Sequence, residues 1–254
     1  MERDMKSIPP VHMMTGYMTG NIYIIEGEDE LVLVDAGVEY DYKLIVDRIK
    51  SLGRSPVEIS HILLTHFHVD HAGAAAALKR LSGARVVAYE TEVPFIQGKQ
   101  HVSSVYKMGV LGRAVSLVPK AAATFTRVPA VDVDVPLKNG EELPVLGGFE
   151  LMAAPGHTPG TSCYFWREKG ILFSGDAIIN TYHRFTLPTI GFSYDFDEAA
   201  RSACRVVDVM EDEDVWLVCT GHGPMVDDRA KEKLLKFRGK LMKKGKYGDL
   251  GSNG

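Results

Sequence analysis

The run His66-Phe67-His68-Val69-Asp70-His71 constrains this chain more than any other feature. Four of its six residues are metal-ligand types. Ser60 to Thr65, just before it, is a short apolar run that reads as a buried strand. Ala72 to Leu81, just after it, is made of good helix formers. The ligand run is therefore expected on a strand-to-helix loop, where a rigid α/β scaffold places its chemistry.

The spacing has a chemical meaning. Residues two apart in an extended segment point the same way, so His66 and His68 can converge on one ion. Asp70 and His71 can then turn toward a second point. Imidazole with carboxylate suits zinc, and also iron or manganese. One cluster closes neither site, and the chain supplies further ligand types at the ends of other expected strands. Glu150 to Ala154 leads into Gly156-His157-Thr158-Pro159-Gly160, Gly170 to Phe173 into Gly175-Asp176, and Val215 to Cys219 into Gly221-His222-Gly223. Each ligand lies next to a glycine, which lets the backbone come close to an ion. A further strand, Leu31 to Val34, ends in Asp35.

This ordered set, spanning roughly residues 20 to 225, resembles the metallo-β-lactamase superfamily. A lone histidine cluster would be a moderate signal; five elements in order, each after a strand, make a strong one. The resemblance implies an α/β fold, a four-layer αββα sandwich with metals at one edge. It implies two divalent metal ions, zinc first, with iron or manganese as alternatives. His66, His68 and His157 would hold the first ion, Asp70, His71 and His222 the second, and Asp176 would bridge them. Asp35 would orient the metal loop through hydrogen bonds. The implied chemistry is hydrolysis by a metal-bridging hydroxide, with Asp70 as the catalytic proton shuttle.

The expected substrate is a small molecule with an ester-like bond: a thioester, a lactone or a related acyl compound. Loops choose the substrate in a shared scaffold, so subfamilies are weighed on single residues. Glyoxalase II-like thioesterases carry a further C-terminal helical region, and only about thirty residues follow His222 here. Lactone-cleaving relatives place a tyrosine shortly after the bridging Asp; here the first is Tyr182. Zinc β-lactamases of the commonest type have Cys where this chain has Asp176. The alternative class is a mononuclear iron oxidoreductase similar to persulfide dioxygenases, using the positions of His66, His157 and Asp176. A non-catalytic binding protein is disfavoured, because seven converging polar ligands are costly to bury without a metal.

Bulk properties agree with an enzyme of this kind. At 254 residues the chain fits a single domain over 1–254. Hydrophobic content of 45% and charged content of 24% are ordinary for a globular protein. A net charge of −4 gives no push toward nucleic acid or an anionic membrane. Cys163, Cys204 and Cys219 are well separated and odd in number, which points away from a disulfide framework and toward a reducing compartment. No secretory leader or bilayer-length apolar run is visible, so the expected location is cytoplasmic.

The remaining segments carry weaker signals. Met13 to Gly20 is either a flap near the substrate or a surface loop with apolar anchors. Asp41 to Ser51 reads as an amphipathic helix. The insertion at 91–127 reads as a helical lid or a subunit contact in a homodimer, since a helix without a strong polar face must bury its apolar residues. Tyr182, His183 and Arg184 follow the bridging Asp176, and at least one is expected to touch substrate. Asp195 opens a helix running to Val209. Residues 227–246 read as a basic amphipathic helix, and 248–254 as a disordered tail.

Overall fold

The computed structural model describes residues 5–100 and 128–243. The insertion expected at 91–127 lies outside the described residues from 101 onward, as does the tail beyond 243. The described residues form two compact units, one running to residue 138 and the other starting at 139.

The first unit is built on a seven-stranded sheet whose strands follow chain order: β1 (Met5–Ile8), β2 (Val11–Thr15), β3 (Asn21–Glu26), β4 (Leu31–Val34), β5 (Ile59–Leu64), β6 (Arg85–Tyr89) and β7 (Val135–Leu137). β1 to β4 pair antiparallel, and β4 to β7 pair parallel. Parallel neighbours need crossovers. α1 (Tyr42–Ser51) connects β4 to β5, α2 (Val69–Ala72) and α3 (Ala75–Ser82) connect β5 to β6, and the short α4 (Val93–Ile96) follows β6. Every residue of β4 is buried, which is why it reads as an unbroken apolar run rather than an alternation. Ile45 and Ile49 of α1 and Leu78 of α3 pack with Ile22, Ile24, Leu33, Ile62 and Val86 of the sheet.

The helix expected over 72–81 is split, and the ligand run is not all loop. Asp70 and His71 stand in α2, a single turn with His68 at its N-cap. A carboxylate in a first turn suits the helix N-terminus. The chain then breaks at Gly73 because backbone packs on backbone there. Gly73 N–H donates to Gly37 O at 2.7 Å, and a Cβ at Gly73 would meet Val38 Cα at 2.7 Å.

The second unit carries a five-stranded sheet in the order β14-β11-β10-β9-β8, with β8 (Glu142–Leu143), β9 (Phe149–Ala153), β10 (Ser162–Trp166), β11 (Ile171–Gly175) and β14 (Leu217–Thr220). Only β11 and β14 pair parallel. α5 (Phe196–Asp212) and α6 (Ala230–Lys243) pack Ala203, Val207, Leu234 and Phe237 against Cys163, Phe165, Leu172 and Val218. The strand expected from 143 to 151 is interrupted where Leu146, Gly147 and Gly148 take positive φ. The loop after Asp176 is a hairpin, β12 (Ile179–Thr181) with β13 (Arg184–Thr186). Among the described residues, no helix is long and apolar enough to cross a membrane.

Candidate metal centre

In the first unit, two neighbouring strand ends, those of β4 and β5, deliver the site residues. β4 ends in Asp35, buried and held at φ 59°, a left-handed conformation that Asp tolerates better than most residues. Its Oδ1 accepts the Thr65 N–H at 2.8 Å, and its Oδ2 accepts the Thr65 hydroxyl at 2.8 Å. His71 Nδ1 lies 2.8 Å from the same Oδ2. A proton on Nδ1 leaves Nε2 as the lone-pair donor, and that nitrogen stands 3.8 Å from Asp70 Oδ2. His66 is fixed by the same chain of bonds: its Nδ1 lies 3.0 Å from Thr65 Oγ1, leaving its Nε2 3.1 Å from His68 Nδ1. The residues thus form two donor pairs, His66 with His68 and Asp70 with His71. His66 and His71 are fully buried.

In the second unit, β9 leads to His157, β11 to Asp176 and β14 to His222. Asp176 Oδ2 lies 3.3 Å from His157 Nε2 and 3.4 Å from His222 Nε2. Glycines make the approach possible. A Cβ on Gly221 would fall 2.1 Å from Asp176 Oδ1, and one on Gly156 would fall 2.1 Å from Ala199 N. The His157 loop is gripped from α5's approach: Tyr194 N–H donates to His157 O at 3.0 Å and Asp195 N–H to Gly156 O at 2.8 Å. His222 is tied to the hairpin, its carbonyl accepting the Asn180 N–H at 2.9 Å.

These donors fit metal ions. Nitrogens of like kind face one another at 3.1 Å and a carboxylate oxygen stands between two imidazoles, an arrangement that a shared cation neutralises.

The sequence profile described as the metallo-beta-lactamase superfamily matches residues 15–222. The chain belongs to the metallo-β-lactamase superfamily. A probable metallo-hydrolase of Bacillus subtilis, YflN, is 26% identical over 91% of this chain and 90% of its own length. The hydroxyacylglutathione hydrolase GloC of Haemophilus influenzae is 27% identical over 65% of this chain and 69% of its own length. Among solved structures, the subclass B3 metallo-β-lactamase BJP-1 of Bradyrhizobium japonicum superposes with a TM-score of 0.64 at 21% identity, covering 96% of this chain and 92% of that one. The α/β fold is therefore that of the metallo-β-lactamases, and this superfamily member is a metal-binding hydrolase.

The three candidate substrate contacts belong to the β12–β13 hairpin of the second unit. Tyr182 and His183 form the two-residue tip of the β12–β13 hairpin, both at positive φ, and Arg184 begins β13. All three are exposed, Tyr182 by 91%. The Met13–Gly20 segment is pinned rather than loose. Buried Asp41 accepts the Tyr17 and Val38 N–H groups, each at 2.9 Å, and a Cβ on Gly20 would meet Asp70 O at 2.3 Å. Asp41 and a second buried carboxylate, Glu92, were not singled out from the sequence. Asp41 reaches Tyr17 and Glu92 reaches Phe67, each partner more than twenty residues away in sequence.

Proposed function

We propose that this superfamily member is a dinuclear zinc hydrolase of a small acyl compound, with a thioester as the first candidate and lactones next. The observation that carries the reading is Asp176 Oδ2 standing 3.3 and 3.4 Å from the Nε2 atoms of two histidines, the position of a carboxylate able to serve two ions. His66, His68 and His157 would hold one ion, Asp70, His71 and His222 the other, with Asp176 shared. Two separate donor pairs in the first unit support this ligand count over a single-iron centre, which needs neither Asp70 nor His71. The resemblance to hydroxyacylglutathione hydrolase GloC supports the thioester.

Two zinc ions would supply Lewis acidity and a water acidified to near neutral pH. The chain's own groups do the rest. Asp35 holds His71 and Thr65 so that their partners keep one tautomer and one orientation. Asp70 Oδ2, only partly exposed, takes the proton from the attacking water and returns it to the leaving group. Tyr182, His183 and Arg184 offer a hydroxyl, an imidazole and a guanidinium to the oxygens of a small substrate. Cys163, Cys204 and Cys219 are buried thiols outside any disulfide, and burial pushes the Cys163 thiol up to about 12. Thiols that form no disulfide support a cytoplasmic location.

A panel of glutathione thioesters, lactones and phosphoesters, offered to the zinc-loaded full chain, tests the reading. Thioester hydrolysis that a chelator abolishes, and that His66→Ala abolishes while the fold persists, is the expected result. Wild-type turnover by His66→Ala with its metals still bound would overturn the ligand assignment. Oxygen consumption with a persulfide, by a chain holding one iron, would replace hydrolysis with the oxidoreductase reading.

A further inference from the structure

The strongest unassigned feature of the first unit is Glu92. Its side chain is fully buried, three residues beyond the end of β6. A carboxylate in such a place is costly unless something of opposite character repays it. Glu92 Oε2 accepts the backbone N–H of Phe67 at 3.0 Å. Phe67 is the residue between His66 and His68, so this bond grips the middle of the two-histidine pair. The grip is reinforced by packing. The Phe67 ring stacks on Phe95 at 5.1 Å, one turn beyond Glu92 in the same short helical segment, and meets the His68 ring edge-on at 5.1 Å.

We infer that Glu92 is a positioning residue for the His66–His68 metal pair, acting through the Phe67 amide and through its negative charge beside a bound cation. The inference rests on the ligand assignment above. A single backbone bond could be met by a neutral acceptor. A carboxylate would add a charge joined through the Phe67 amide to the loop that bears His66 and His68, and such a charge strengthens ligation where the surrounding medium is poor in water. Partners of this kind change metal affinity by about 10- to 100-fold when removed.

Two substitutions separate the bond from the charge. Glu92→Gln keeps an acceptor for the Phe67 N–H and removes the charge; Glu92→Ala removes both. The readout is zinc affinity of the metal-stripped full chain, by competition with a chromogenic chelator, together with the visible spectrum after loading with Co(II). Affinity is expected to fall in the order wild type, Gln, Ala, by about tenfold and then about 100-fold. The Co(II) spectrum of both variants should shift while their far-UV circular dichroism stays native. If Glu92→Ala does not fold, the Gln variant alone decides, since it is isosteric. Wild-type zinc affinity and an unchanged Co(II) spectrum in Glu92→Gln, with only the melting temperature lowered, would overturn the inference and leave the ligand assignment standing. A wild-type chain that takes up no metal would overturn both.

Discussion

At the residue scale the account turns on a few atoms that each serve two neighbours. Asp35 accepts from Thr65 N–H, Thr65 Oγ1 and His71 Nδ1 while buried. Asp35→Ala would strand those donors at about 1–3 kcal/mol for each one left without an acceptor. Denaturant unfolding should record that loss, and zinc competition should record weaker binding by about 10- to 100-fold. Gly221 supplies a test in the second unit. A methyl group there would fall 2.1 Å from Asp176 Oδ1 and 2.7 Å from the Gly175 carbonyl carbon, so the carboxylate must move. Gly221→Ala should cut metal occupancy and turnover by about 10- to 100-fold and lower the melting temperature, because the Gly175 backbone must shift as well. Full occupancy would show that Asp176 has room to spare. The histidines and Asp176 were legible because ligand types stood at strand ends beside glycines. Glu92 and Asp41 were not, because a buried acid is recognised by what folds over it. Phe67 and Tyr17, their partners, are distant in sequence and carry no polar signal of their own.

At the element scale, β4 read correctly because it is a continuous buried apolar run, while the strand expected from 143 to 151 broke at Leu146, Gly147 and Gly148. The short turn α2 was hidden: one helical turn has no periodicity, and its reason is the close backbone packing at Gly73. The β12–β13 hairpin was hidden for the opposite reason. A two-residue turn with positive φ at both positions favours Asn-Gly, and this one holds Tyr182 and His183. Each such residue costs about 1–2 kcal/mol relative to one suited to the conformation. Tyr182→Asn with His183→Gly should therefore stabilise the chain while raising KM, the expected exchange if the tip meets substrate. Added stability with unchanged kinetics would remove these side chains from the substrate site. Helix α5 gives a pH test. Asp195 caps it by accepting the Glu198 N–H at 3.0 Å. Glu198 in turn is partly buried, which alone would raise its pKa, but hydrogen bonds from Arg205 and Arg201 outweigh this and hold it below the ordinary value of 4.5. A depressed carboxylate contributes stability above its unfolded pKa, and that share is lost as pH falls through the folded value. Glu198→Gln should thus lower the melting temperature at pH 7 and narrow its difference from wild type below pH 4.5. A difference independent of pH would assign the effect to packing.

At the scale of the whole molecule, family and fold were legible before any coordinate, since the ordered ligand set runs through most of the 254 residues. Substrate choice was less so. Loops rather than a repeating pattern carry it, and Tyr17, Met18 and Tyr182 are exposed side chains on such segments. The donor pairs, the position of Asp176 and the proposed hydrolytic chemistry all bear on one quantity, the number of metal ions the chain holds. Elemental analysis of the full chain, purified without added metal, measures that number directly. The account predicts about two zinc ions per chain, falling toward one in Asp70→Ala and toward none when His66 and Asp176 are both replaced by alanine. One iron per chain, unchanged in Asp70→Ala, would contradict it.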